Sequence, residues 1–204
     1  MKRSIVTAAV VLAMGAAPAF AQSTRAKTQR QKTGRAASDQ TFVMDAAKGG
    51  MAEVELGKLA AEKASNNEVK QFGQRMVDDH GKANNELKSL ASSKNITLPN
   101  ELDAKDKAVR DRLSKLSGAA FDRAYMQAML RDHRKDVNEF KRESTSGKDP
   151  EIKAFASKTL PTLEEHLKQA ETATRAVGTT GTVEKSGKAK TATPGQANSS
   201  RKRY

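Results

Sequence analysis

The chain has 204 residues, 36% apolar and 30% charged, with a formal net charge of +13, a length that suits one domain with tails. It contains no cysteine, which excludes disulfides, thiolate metal sites, thiol catalysis and cysteine-linked haem. The charge is uneven: residues 37–174 hold 23 Lys+Arg against 23 Asp+Glu, and the flanks hold the other 14 basic residues with one acid, Glu184.

Residues 1–21 read as a signal peptide. Lys2 and Arg3 precede the apolar run Ile5 to Met14, and Ala19-Phe20-Ala21 fits the small-x-small cleavage rule. The run is shorter than the roughly 20 residues a bilayer span needs. Cleavage after Ala21 predicts a periplasmic or secreted protein with no transmembrane segment left. Residues 22–37 are basic and lack apolar periodicity, which predicts a disordered linker.

From residue 38 the pattern becomes helical. A first helix is predicted from about Asp39 to Ala64 after a cap at Ser38, with small apolar positions at Ala46, Gly50, Gly57 and Ala61 and with Glu53 near that stripe. Ser65 to Glu68 has the spacing of a capping box. It opens a second helix to about Ser92 with the stripe Val69, Phe72, Met76, His80 and Leu87. Asn95 to Asn100, with Pro99, ends that hairpin, and a short helix is predicted over Asp103 to Leu116. Ser117 caps a third main helix, whose stripe is Met126, Met129, His133, Val137 and Phe140. Asp149-Pro150 starts a fourth: an acceptor at the cap, then a proline whose missing N–H is harmless in the first turn. It continues through Ile152, Phe155, Leu163, His166 and Ala170, with a kink predicted at Pro161.

Residues 175–204 are rich in Gly, Ser, Thr and Lys and are predicted to form a disordered basic tail. The two arms are suited to an anionic envelope surface or a cell-wall polymer; specific nucleic-acid binding is not expected. Two fragments repeat within the domain. Glu68-Val69-Lys70-Gln71-Phe72 is echoed by Glu151-Ile152-Lys153-Ala154-Phe155, and Asp78-Asp79-His80 by Glu164-Glu165-His166. The echo suggests two helical hairpins packed as one bundle over residues 38–174.

Gly50 to Gly57 (GMAEVELG), Met76-Val77-Asp78-Asp79-His80, Leu113 to Tyr125, Asp132-His133 and Leu160 to Leu167 together resemble an exported bacterial family catalogued as domain of unknown function 4142. The resemblance covers about Ser38 to Ala173. It implies an all-α, ferritin-like up-down four-helix bundle with a short extra helix between helices 2 and 3. It implies no assigned activity.

The chain has three histidines, His80, His133 and His166, each on the apolar stripe of a different helix. With Glu53 from the first helix they are candidate ligands for a transition metal, since imidazole suits Zn, Cu, Fe and Ni. His80 lies mid-helix and His166 towards the predicted end of its own helix. A di-iron centre needs a carboxylate three residues before each histidine; here those positions are Val77, Leu130 and Leu163, which argues against one. The acid preceding each histidine (Asp79, Asp132, Glu165) points about 100° away round its own helix. Each is therefore a candidate to orient a histidine of a neighbouring helix. Methionines 44, 51, 76, 126 and 129 read as core fillers. Phosphate-binding loops and an activated nucleophile are absent from the sequence, so no catalytic or cofactor-binding residue is assigned. The sequence thus indicates a non-enzymatic binding or stress-related envelope protein. The alternative is a transition-metal-binding or metal-dependent redox protein built on the inward histidines.

Overall fold

The computed structural model describes residues 19–187, with side chains from 39 to 178. Residues 1–18 of the expected signal peptide and 188–204 of the expected tail lie outside the described residues. Five helices and no strand are found among those described: α1 (Ala19–Lys63), α2 (Asn67–Ser93), α3 (Ala104–Ser114), α4 (Gly118–Ser146) and α5 (Pro150–Gly187). None of them is long and apolar enough to cross a membrane.

Two boundaries differ from the sequence reading. Helix α1 begins at Ala19, so residues 22–37 are helical, and α5 continues past Thr174 to Gly187. A helix closes its hydrogen bonds within its own backbone. The Ala, Gln, Lys and Arg of residues 22–37 are good helix formers, so they need no apolar stripe to stay helical. Helix α5 also runs on through Pro161.

Local chemistry sets the other ends. Asn66, not Ser65, caps α2: its Oδ1 accepts from the N–H groups of Glu68 at 2.7 Å and Val69 at 3.4 Å. Asp149 caps α5 as expected, accepting from Glu151 and Ile152. Ser117 occupies the cap position of α4 without a side-chain cap bond.

Helices α1 and α2 form one antiparallel hairpin, α4 and α5 the other. Each hairpin holds the turn of its neighbour. Asp122 on α4 accepts from Ser65 N, Ser65 Oγ and Asn66 N in the α1–α2 turn. Asp39 on α1 accepts from Lys148 N and Asp149 N in the α4–α5 turn. These bonds place the end of α1 beside the start of α4, so α1 and α4 run antiparallel. Lys94 at the end of α2 pairs with Asp149 and Glu151 at the start of α5, so α2 and α5 do too. The direction is therefore up-down-down-up rather than simple alternation. Residues 94–117, which include α3, run back along the bundle as one long crossover, the kind of connection ferritin-like bundles use.

Close helix approach depends on glycine at one crossing. A Cβ on Gly57 would meet Gly73 O at 2.6 Å, and one on Gly73 would meet Gly57 O at 2.8 Å. The core falls into two apolar clusters. One gathers Leu56, Phe72, Met76, Phe121, Tyr125 and Met129; the other gathers Phe42, Val43, Leu87, Phe140, Phe155 and Leu163. On each of the four long helices one buried polar residue falls between the two sets: Glu53, His80, His133 and His166. The core is thus divided by a polar layer.

Candidate metal centre

Each member of that layer comes from a different helix. Glu53 is 3% exposed, and His133 and His166 are fully buried. The imidazole centroids lie 5.8 Å (His80–His133), 5.4 Å (His80–His166) and 5.4 Å (His133–His166) apart. One ring nitrogen from each lies within 4.8 Å of those from the other two. Because α5 extends to Gly187, His166 sits mid-helix and level with His80.

One nitrogen of every ring is engaged by a group that can only accept. His80 Nδ1 is 2.9 Å from Glu53 Oε2. His133 Nδ1 is 3.0 Å from the carbonyl oxygen of Met129, with Glu53 Oε1 at 3.3 Å. His166 Nε2 is 3.0 Å from Asp79 Oδ2, and Asp79 in turn accepts from Arg75 Nε at 3.3 Å. A carboxylate or carbonyl cannot donate, so these nitrogens carry the hydrogens. The other nitrogens, His80 Nε2, His133 Nε2 and His166 Nδ1, are buried and have no hydrogen-bond partner. In the neutral rings each holds a lone pair. Three buried lone pairs without donors are the state that metal-binding histidines are held in by acceptors behind them.

The electrostatics follow from burial and from Glu53. Burial alone pushes the Glu53 carboxyl up, but attraction to His80 and then His133 outweighs it and holds the group below the usual carboxylate range. Burial lowers His80 as well, yet the Glu53 carboxylate beside it carries its pKa above the ordinary value. His166 is lowered to about 4 by burial, which its bond to Asp79 only partly offsets. Phe72 closes one side, edge-on to His133 at 6.0 Å and His166 at 6.4 Å between centroids.

The structure therefore brings His80, His133 and His166 together and places Glu53 behind two of them, as an orienting anion rather than a ligand facing the free nitrogens. Among the three acids expected to orient a histidine, Asp79 does so across the α2–α5 contact. Glu165 instead reaches Arg75 at 3.0 Å on the exposed face, because the helix turns it outward from His166. Asp132 lines an acidic cleft with Asp106 and Asp136. The Met129 carbonyl was invisible in the sequence pattern, although it is the ordinary backbone acceptor one helical turn before His133.

A model of the family described as Domain of unknown function (DUF4142) matches residues 23–173. No curated protein gives a significant match. Among solved structures, a DUF305 fragment from Deinococcus radiodurans is similar with a TM-score of 0.60 at 13% identity, covering 69% of this chain and 95% of that one. CopM in its Cu(I)-bound form is similar with a TM-score of 0.56 at 20% identity, covering 66% and 93%. CopM in its Cu(II)-bound form gives 0.58 at 17%, covering 68% and 96%. At these identities the likeness is one of fold, a helical bundle.

Proposed function

The chain belongs to the DUF4142 family, a domain of unknown function, so its role has to come from its own site: we propose that it is an envelope protein that binds a transition metal, copper first among candidates, through His80, His133 and His166. The observation that carries this is the convergence of the three rings, one nitrogen of each lying within 4.8 Å of those of the other two, together with a buried, partnerless nitrogen on every ring. Ligand nitrogens about 2 Å from one ion lie no more than about 4 Å apart, so the rings need to close by about an ångström. Glu53 supplies one buried negative charge against the cation, which a dry site otherwise disfavours. Imidazole donors suit copper, zinc and nickel. The bundle's similarity to CopM, whose solved forms hold Cu(I) and Cu(II), puts copper at the head of that set. Export follows from the leader expected at residues 1–21. This reading takes up the sequence's alternative, a transition-metal-binding protein, in place of the non-enzymatic binding or stress-related envelope protein it put first.

Titration of the mature chain with Cu(I), Cu(II), Zn(II) and Ni(II) tests this, beside a His80→Gln, His133→Gln, His166→Gln variant checked for helicity. One metal should bind at one per chain. At a hundredfold excess over Kd it should stabilise the fold by about 2.7 kcal/mol, in the wild type only. Equal binding by the variant would overturn the reading.

A further inference from the structure

The chain leaves α2 by a turn that fixes where the crossover begins. Asn95 has a φ of 55°, Ile96 N–H donates to Ala91 O at 2.9 Å and Asn95 N–H donates to Ser92 O at 3.2 Å. This is the Schellman pattern, which satisfies the last carbonyls of a helix and turns the chain away from its axis. Ile96 and Leu98 then pack against the apolar cluster that holds Ala47 and Leu87. They do not fill the space beside it. A cavity of about 490 Å³ remains between α1, α2 and the crossover, with Met51, Ile96, Leu98 and Pro99 among its walls. That volume is within the range of pockets that take small molecules, about 300–1,000 Å³.

One side of the cavity is polar. Asn84, Lys88 and Ser92 line it at intervals of four along α2, so they form a single stripe. Lys88 is exposed, and no acid stands three or four residues from it: those positions hold Asn84, Asn85, Ala91 and Ser92. Among the described residues it joins no ion pair. No carboxylate lines the cavity, although the bundle carries 23 acids. Two other clefts differ in this respect. The groove between α2 and α5 sets Glu68 and Glu165 against Arg75 and Lys168, and the cleft between α1, α3 and α4 is lined by six carboxylates and three lysines. Of the three, the cavity beside the crossover is the one that offers an anion a cation with no acid in competition.

We propose that this cavity binds an apolar molecule carrying one carboxylate, of the medium-chain fatty acid class. The carboxylate lies at Lys88, where the amides of Asn84 and Asn85 can also donate to it. The hydrocarbon lies along Met51 and Leu98, where each methylene removed from water adds to affinity. Neither Glu53 nor any of the three histidines lines this cavity, so the inference stands apart from the metal site.

Calorimetric titration of the mature chain with decanoate, decanol and decyltrimethylammonium, each below its critical micelle concentration, tests this. Decanoate should bind at one per chain and more tightly than the other two. Lys88→Gln should weaken decanoate about two- to fivefold, as for an exposed ion pair, and leave decanol unchanged. Asn85→Asp, on the exposed face, gives Lys88 a partner three residues away and should act in the same way without disturbing the core. Leu98→Glu, checked for helicity because Leu98 packs on the core, should weaken decanoate by more than about tenfold, since it sets a like charge in the wall. It should also come to prefer decyltrimethylammonium. Equal affinity of the wild type for decanoate and decanol, or unchanged decanoate affinity in both α2 variants, would overturn the carboxylate assignment. Binding of none of the three probes would overturn the site itself. Dimerisation of the wild type that Leu98→Glu abolishes would overturn it too, because the cavity would then be an interface between copies. The variant lacking all three histidines should bind decanoate as the wild type does, so failure here and failure of the metal site are read separately.

Discussion

At Glu53 one carboxylate faces two imidazoles, and its contribution differs from that of Asp79. Glu53→Gln leaves a carbonyl oxygen able to accept from His80 Nδ1 but removes the buried charge. Asp79→Asn also changes the chemistry, because its amide can donate to His166 Nε2. That would turn the hydrogen to Nδ1, where it blocks the lone pair facing the cluster. Both variants should lose metal affinity by about 10- to 100-fold, with Asp79→Asn rescued by Asp79→Glu if the acceptor is what matters; competition against a chelator reads both. The same ring sets a pH dependence. His166 is lowered from 6.5 to about 4, so between those values the unfolded chain takes up a proton that the folded chain refuses. Its stabilising contribution is full above pH 6.5 and is lost as pH falls towards 4, up to about 3 kcal/mol. Glu53, held low, also loses its contribution on the acid side, whereas His80, carried upward by Glu53, acts in the opposite sense. Urea unfolding at pH 7 and pH 4.5 should therefore show a larger loss in the wild type than in His166→Gln. An equal loss in both would mean that this ring is not the group responsible.

Helix-level stability turns on where small residues stand. Gly73→Ala gains helix propensity of about 1 kcal/mol but drives a methyl against Gly57 O and Ala60 Cβ, the latter at 2.7 Å. Neither is the free end of a flexible side chain, so overpacking should win and lower stability by about 1–3 kcal/mol. Gly81→Ala, in the same helix with nothing within 4 Å of the added methyl, should instead raise it by about 0.5–1 kcal/mol. Thermal melts of the two variants should move in opposite directions. The elements themselves were largely legible in the sequence. Stripes such as Val69, Phe72, Met76 and Asp149-Pro150 at a cap mark helices through spacing and chemistry that act locally. The cap at α2 was misplaced by one residue because Ser65 and Asn66 are both good acceptors, and Asp122 of another helix claims the serine. The start of α1 was not legible, since residues 22–37 carry no apolar periodicity and include Gly34, and both features argue locally against a helix. The reversal of direction at α4 was missed as well, because it depends on residues 94–117 lying along the bundle, which no local pattern records. For the site, three histidines on apolar stripes could be read directly. That Glu53 and Asp79 stand behind rings of other helices could not, because a pattern along one helix does not say which residue faces it across a contact.

Seen as a whole, the molecule separates its charges. The bundle between Ala37 and Thr174 is balanced, with 23 basic and 23 acidic residues, while the flanks carry the whole excess. Inside the bundle the polar layer lies between two apolar clusters, so the fold places the three histidines away from both ends of the bundle. Beside the proposed metal site in the bundle, we propose that the basic arms hold the protein at an anionic envelope surface. Such attraction between exposed charges is screened beyond about 10 Å at 0.1 M salt. The mature chain should sediment with vesicles containing an anionic phospholipid at about 0.02 M salt and be largely released at about 0.5 M, and it should ignore neutral vesicles. Replacing Arg25, Lys27, Arg30, Lys32 and Arg35 together with Lys188, Lys190, Arg201, Lys202 and Arg203 by glutamine should abolish sedimentation and leave metal stoichiometry unchanged. If the substituted chain still sediments, the attraction comes from the neutral bundle and the arms are spacers. If metal binding falls along with sedimentation, the arms and the histidine layer are coupled, and the division of labour argued from the charge distribution is wrong.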